Sequence, residues 1–226
     1  MDDPPALVAC SHGTRDIAGR RVVDDLRSAV AAARPSVRIV EAYVDVQQPE
    51  LSDVLSDVGA AVVVPVLLSS GYHVHVDIAA AVAAAGPEVR MTAALGPDPA
   101  LVDVLEERLG AAVASCDDPF VLAAAGSSDR RAVTDVERTA GALTARLGRP
   151  VVSAYASAAE PRVDAAVAQM RSEGRRVAIA TYLLAPGFFH DQLRNAGADV
   201  VTAPLLPHPA ITRLVLRRYD QALRAG

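Results

Sequence analysis

The sequence predicts an α/β fold made of two tandem, similar parallel-sheet domains of Rossmann-like type, with a cleft between them. Short runs of β-branched residues alternate with alanine-rich amphipathic stretches, which is typical of strand and helix units around a parallel sheet. One run, AAVVVPVLL, is apolar at nearly every position, as expected for a strand that helices cover on both faces. The third observation is that the second half of the chain repeats the first.

In the first half, strands are predicted at ALVACS, VRIVEAYV, AAVVVPVLL and VRMTAA, and the helices that follow them at 20–33, 48–56, 76–85 and 99–114. In the first helix Val22, Leu26 and Val30 share one face, which predicts its buried side. Pro65 lies inside the third strand and argues against a central position in the sheet, because proline lacks the N–H of a ladder bond.

Four motifs of the first half recur in the second, in the same order and at an offset of about 110 residues. VACSHGTRD corresponds to LAAAGSSDR, EAYVDVQQPEL to SAYASAAEPRV, LLSSGYHVHVDI to LLAPGFFHDQL, and LGPDPA to LLPHPA. We therefore expect two domains, 1–115 and 116–226, joined near residues 113–119. Open α/β sheets bind ligands at the carboxyl ends of their strands, so the cleft is the expected binding place.

Composition narrows the class of protein. The chain has 226 residues, 51% of them hydrophobic, and can bury a substantial core. It has no apolar run of membrane-spanning length and no pattern of a secretion signal at its start, so we expect a cytoplasmic protein. Its net charge of -5 favours neither nucleic acid nor a membrane surface as a partner. Two cysteines far apart in the sequence, Cys10 and Cys116, indicate a reduced compartment and no disulfide framework.

Polar side chains follow the ends of the predicted strands. His12 comes after the first strand, Asp45 after the second and His73 after the third. Because parallel strands end at the same edge of a sheet, two imidazoles and a carboxylate are expected to converge there. Such a set suits a divalent metal with open coordination positions, since imidazole binds Fe, Co, Ni and Zn alike. The alternative for each residue is an ordinary hydrogen-bonded or solvated side chain, and His75 is expected to face solvent or a substrate carboxylate.

The second half does not keep these three residues. Their repeat positions hold Ala125, Ser157 and Phe189, with His190 one position further along. We interpret the second half as a degenerate copy that lacks the metal site.

Five segments, SHGTRD, PVLLSSGYHVHVDI, ALGPDP, AAAGSSD and YLLAPGFFHDQL, together resemble the class II tetrapyrrole chelatases of the CbiX and SirB type in their two-domain form. The resemblance covers essentially the whole chain. It implies a chelatase-like fold and a lyase that inserts a divalent metal into sirohydrochlorin, in siroheme or cobalamin biosynthesis. His12 and His73 are then the catalytic and metal-binding residues. Asp45 stands where the family usually has a glutamate and is the expected third ligand.

The resemblance also implies a substrate with several carboxylates. Arginines can bind these in bidentate fashion, and a glycine–serine turn at a helix start can donate hydrogen bonds to them. The expected substrate-binding residues are Thr14, Arg15, Gly71, Tyr72, His75, Gly126, Ser127, Ser128 and Arg130, with Arg131 beside them. No bound cofactor is expected, because the metal, Fe2+ slightly favoured over Co2+, is a substrate.

Two other interpretations stay open. SHGTR superficially resembles the RHG motif of histidine phosphatases, but Ser11 stands where those enzymes have arginine. A non-catalytic protein of the same fold could carry a tetrapyrrole or a metal, or regulate in response to one. Retention of both His12 and His73 favours catalysis. A monomer or weak homodimer is expected, because the tandem repeat supplies both domains within one chain.

Overall fold

A computed structural model describes residues 4–110 and 120–224, and within them the strands form two parallel four-stranded sheets. The first sheet contains β1 (Ala6–Ser11), β2 (Ile39–Tyr43), β3 (Ala61–Pro65) and β4 (Val89–Met91), in the order β2-β1-β3-β4. The second contains β5 (Phe120–Ala124), β6 (Val151–Tyr155), β7 (Ala178–Tyr182) and β8 (Val200–Val201), in the order β6-β5-β7-β8. The predicted tandem parallel α/β fold is confirmed. The expected junction at 113–119, with Cys116, lies outside the described residues.

Helices connect the strands, as the alternating pattern predicts. Those of the first half are α1 (Ile17–Ala33), α2 (Leu51–Asp57), α3 (Ala79–Ala85) and α4 (Pro99–Leu109), and a π-helix (His73–Ile78) directly precedes α3. Those of the second half are α5 (Arg130–Leu147), α6 (Val163–Ser172), α7 (Phe188–Arg194) and α8 (Pro209–Arg224). Helix α1 begins earlier than predicted because Asp16 caps it, its carboxylate accepting the Gly19 N–H at 2.7 Å.

Strand β3 is central, contrary to the expectation drawn from Pro65. Its pairing with β1 extends to Pro65, which lies opposite Cys10. Its pairing with β4 covers only Ala61 to Val63. Proline is tolerated because it is the last residue of the strand and lies beyond the ladder to β4. Since β1 and β3 are neighbours that end at one edge, the segments that follow them begin side by side.

Contacts divide the described residues into two compact units that differ from the contiguous halves 1–115 and 116–226. The first unit holds the described residues up to Gly96 and from Pro207 onward, and the second holds those within Pro97–Leu206. Helix α8 packs against α1 and β3, whereas α4 packs against α5 and β7. The expected limits therefore describe the sequence repeat and not the compact units, because a repeat does not reveal which sheet its last helix covers.

The hydrophobic core of the first unit holds in position the segments that carry the candidate site residues. The β1 side chains of Ala6, Val8 and Cys10 are buried in one apolar cluster with residues of α2 and with Ile78 of the π-helix. Burying a large aliphatic side chain stabilises the fold by about 1.5–3 kcal/mol. Burial raises the pKa of the Cys10 thiol to about 12, so this cysteine is a protonated core residue.

No helix among the described residues combines the length and the apolar character needed to cross a membrane.

Candidate metal centre

Two histidines meet at the carboxyl edge of the first sheet. His12 directly follows β1, and His73 is the first residue of the π-helix that follows β3. Their ring centroids are 4.6 Å apart and the ring planes are nearly perpendicular, at 86°. The convergence predicted from the strand ends is therefore present for the two imidazoles.

Gly13 allows the chain after β1 to approach the loop after β2. Its φ is +93°, and a Cβ placed on it would collide with the carbonyl oxygen of Asp45. Across the same approach, the Asp45 N–H donates to the His12 carbonyl oxygen at 3.2 Å. The position of His12 thus depends on a glycine at the next residue.

The His12 side chain is exposed on one side, yet the surrounding protein removes part of its water. This desolvation, followed by the neighbouring His73, holds the pKa of His12 below its ordinary value. A lowered pKa keeps the imidazole neutral at pH 7, and the neutral ring is the form that ligates a metal or accepts a proton.

A carboxylate accompanies His73 that the sequence analysis did not assign. Nδ1 of His73 lies 2.7 Å from Oδ2 of Asp77, four residues further along the π-helix. Val74 and Ile78 are buried, and Ile78 lies in the apolar core of the first unit. The spacing of His and Asp in HVHVD is a usable signal only once this stretch is known to be helical.

The Asp45 backbone is hydrogen-bonded to the His12 backbone, but the Asp45 carboxylate accepts a hydrogen bond from its own loop. Oδ1 accepts the N–H of Val46 at 2.7 Å, and the Asp45 side chain is exposed. In the parts of the chain that are described, no three His, Cys, Asp or Glu side chains are grouped so as to hold a metal ion. A ligand role for Asp45 stays a prediction.

Several predicted substrate-binding residues are close in sequence to His12 or His73. Thr14 shapes the turn into α1, since its Oγ1 accepts the Asp16 N–H at 3.1 Å. The Gly71 carbonyl oxygen accepts the N–H of His75 at 3.1 Å at the start of the π-helix. Tyr72 is 57% exposed, with its ring centroid 6.1 Å from that of His73. Arg15 and His75 are also exposed.

Exposed hydrophobic side chains lie on the same segments. Ile17 at the start of α1, Val46 after Asp45, and Tyr72 and Val76 around His73 are all large apolar residues that solvent reaches. Ligand sites commonly combine apolar side chains with a few polar groups. These segments therefore suit an organic ligand with an apolar face.

The second unit keeps the backbone arrangement without the two histidines. The Ser157 N–H donates to the Ala125 carbonyl oxygen at 2.8 Å, as Asp45 does to His12 in the first unit. Phe189, at the repeat position of His73, packs against the hydrophobic core, and Nε2 of His190 lies 3.3 Å from a backbone carbonyl oxygen. This agrees with the interpretation of a degenerate copy.

The predicted anion-binding turn of the second unit is organised as a helix cap. Gly126 has a φ of +94°, and the Ser127 Oγ accepts the Asp129 N–H at 3.0 Å. Asp129 caps α5 and pairs with the Arg131 guanidinium at 2.7 Å. Ser128 and Arg130 are exposed. Their roles in binding substrate stay predictions.

Known proteins resemble this chain over both halves. The CbiX family model matches residues 6–112 and 119–222. SirB from Bacillus subtilis with Fe3+ is 20% identical with a TM-score of 0.79, over 96% of this chain and 95% of that one. Sirohydrochlorin chelatase SirB from Bacillus subtilis subspecies spizizenii, in complex with cobalt, is 18% identical with a TM-score of 0.78, over 96% and 94%.

A third solved structure is CbiX, described as the terminal enzyme for biosynthesis of siroheme in denitrifying bacteria. It is 16% identical with a TM-score of 0.73, over 97% of this chain and 99% of that one. A comparison with curated proteins finds no sequence that matches. At these identities the solved structures show a shared fold.

Proposed function

Because this chain belongs to the CbiX family, we propose that it is a lyase that inserts a divalent metal ion into sirohydrochlorin. Fe2+ is slightly favoured and Co2+ is the second candidate. The metal enters as a substrate, so the proposal requires no bound cofactor. The product would serve siroheme or cobalamin biosynthesis.

The observation that carries this proposal is the pairing of His12 with His73. Metal–imidazole bonds are about 2.0–2.1 Å long, so two rings that bind one ion must lie within a few ångströms of each other. The centroid separation of 4.6 Å is compatible with that requirement. The half-exposed position of the pair leaves room for the macrocycle to take over the remaining coordination positions.

Metal insertion also releases two pyrrole N–H protons. A neutral imidazole can accept a proton near pH 7, and the lowered pKa of His12 favours that form. We propose that the two histidines share the tasks of holding the ion and accepting protons. Around them, the exposed apolar residues contact the macrocycle face, and Arg15 binds its carboxylates.

The two histidines do not determine which metal is inserted, because imidazole binds both Fe2+ and Co2+. Fe3+ and cobalt are the ions in the two SirB structures, which supports testing iron and cobalt first. The slight preference for iron predicts faster insertion of Fe2+ than of Co2+ under the same conditions.

The test is the anaerobic change in absorbance of sirohydrochlorin mixed with Fe2+ or Co2+. We expect the protein to accelerate insertion, and we expect His12→Ala and His73→Ala each to lower the rate by about 100-fold or more. His208→Asn is the matched control, because asparagine can still accept the Ala210 N–H that His208 Nδ1 accepts at 3.1 Å. This variant should keep the full rate.

Two outcomes would contradict the proposal. Tight binding of sirohydrochlorin without faster insertion would indicate a carrier of the same fold. Unchanged rates in both histidine variants would place the chemistry elsewhere in the chain.

A further inference from the structure

The contact between His73 and Asp77 constrains which nitrogen of His73 faces the metal. The Nδ1 to Oδ2 distance of 2.7 Å is that of a charge-assisted hydrogen bond. The two side chains are 36% and 38% exposed, so the pair sits at the rim of the site and is open to solvent.

A carboxylate accepts hydrogen bonds and does not donate them. Against Asp77, the neutral His73 ring must therefore carry its hydrogen on Nδ1. Its lone pair is then on Nε2, at the opposite side of the ring. Metal-binding histidines are commonly oriented in this way by a carboxylate on the second nitrogen.

The backbone makes this contact a fixed feature of the first unit. Val74 and Ile78 directly follow His73 and Asp77 in the sequence and are buried, and Ile78 anchors the π-helix in the core. The Gly71 carbonyl oxygen accepts the Val74 N–H at 3.1 Å and holds the start of the segment. The His73 ring also packs against the His12 ring, with the two ring planes nearly perpendicular. The plane of His73 is thus limited by Asp77 and by His12.

We propose that Asp77 is a positioning residue that holds His73 as the Nδ1–H tautomer, so that Nε2 of His73 receives the incoming divalent metal. This inference rests on the proposed function, because it assigns a metal-binding role to His73. A purely structural surface pair would instead affect stability and leave metal affinity unchanged.

Binding of Co2+ alone to the apo protein tests the inference without the macrocycle. Asp77→Asn has nearly the same shape, but an amide both donates and accepts and so does not enforce one tautomer. We expect this variant to bind Co2+ about 10–100-fold more weakly and to change the visible absorption of bound Co2+. Asp77→Glu should recover part of the affinity. Asp53→Asn, an exposed carboxylate on α2 of the same unit, is the charge-matched control and should bind as the wild type does.

Nitrogen-15 NMR of the metal-free wild-type protein gives a second readout that needs no folded variant. We expect His73 to show protonated Nδ1 and unprotonated Nε2 when its ring is neutral. A neutral His73 with its hydrogen on Nε2 would overturn the inference, as would equal Co2+ affinity in the wild type and in folded Asp77→Asn.

The two proposals fail in distinguishable ways. Accelerated insertion with unchanged Co2+ binding by Asp77→Asn would overturn the role of Asp77 and leave the chelatase proposal standing. Weakened Co2+ binding by Asp77→Asn, in a protein that does not accelerate insertion, would support the positioning role and overturn the chelatase proposal.

Discussion

At the scale of single residues, Gly13 lets His12 reach its place beside His73. The positive φ of Gly13 turns the chain out of β1, and the absence of a Cβ lets the Asp45 carbonyl oxygen come close. Any other residue at this position would meet both an unfavourable backbone conformation and an occupied space.

Gly13→Ala is therefore expected to lower the free energy of unfolding by more than about 2 kcal/mol and to weaken Co2+ binding. Gly59→Ala is a matched control: Gly59 also has a positive φ, +71°, but nothing lies within 4 Å of an added Cβ. It should lose only about 1 kcal/mol and keep its metal affinity. Urea unfolding and Co2+ titration of both variants provide the measurement. Equal losses in the two would show that crowding at Gly13 is unimportant.

The sequence predicted His12 and His73 because strand ends in a parallel sheet are readable from apolar runs. Asp77 was not predicted as a partner of His73. Its contact depends on a helical conformation at His73–Ile78, and the sequence left that stretch open between an extended and a helical form. The orientation of the Asp45 carboxylate toward Val46 depends on loop geometry that residue types do not reveal.

At the scale of elements, α8 is tied to the first unit by paired charges and backbone contacts. Arg34, at the end of α1, binds the Asp220 carboxylate through two nitrogens, each at 3.0 Å. Arg218 donates to the carbonyl oxygens of Ala94 and Leu95, each at 3.1 Å. The hydrogen bond from Arg34 is the largest cause that lowers the pKa of Asp220.

This lowered pKa predicts a pH-dependent contribution to stability. The contribution is full above the unfolded pKa of about 4 and is lost as pH falls through the lower folded value. Asp220→Asn should thus destabilise the protein by about 0.5–1 kcal/mol at neutral pH, since the pair is partly solvated. Below that window the variant and the wild type should converge. Urea unfolding across acidic and neutral pH checks this, and a difference that persists in acid would contradict it.

The type of each element was well predicted, whereas the start of α1 and the central position of β3 were not. Alternating apolar runs predicted all four strands of the first sheet and the helices between them, and the repeat predicted equivalent elements in the second half. The amphipathic pattern of 20–33 placed the start of α1 too late, because it does not include the turn that Asp16 caps through its hydrogen bond to Gly19. Pro65 led to the wrong prediction that β3 is not central, because the strand ends at this proline.

At the scale of the whole molecule, each repeat contributes its last helix to the unit built on the other repeat. The described part of the chain has α4 in the unit of the second sheet and α8 in the unit of the first. Leu101 of α4 and Leu214 of α8 are both fully buried. The first unit, with the histidine pair, therefore depends on residues near the end of the sequence.

Native-state amide hydrogen exchange, measured on two variants, can test whether α4 and α8 each stabilise the sheet of the other repeat. Leu214→Ala should reduce protection mainly in β1 and β3, and Leu101→Ala mainly in β5 and β7, since a buried leucine truncation costs about 2–5 kcal/mol. The reverse pattern, with each variant weakening the sheet of its own half, would support contiguous domains.

The repeat itself was visible in the sequence, because matching motifs recur at nearly one offset, and the family model matches the same two halves. The exchange of α4 and α8 was not visible, because both helices present equivalent apolar faces to equivalent sheets. Residue patterns show that such a helix is buried, and only the path of the chain determines against which sheet.

The most direct test of the central claim compares the insertion rates of His12→Ala, His73→Ala and the double variant, with sirohydrochlorin and Co2+ or Fe2+. If the two histidines form one site, either substitution removes the function of both. The double variant should then be no slower than the slower single variant. Losses that multiply in the double variant would show two independent contributions and would contradict a single metal centre built from His12 and His73.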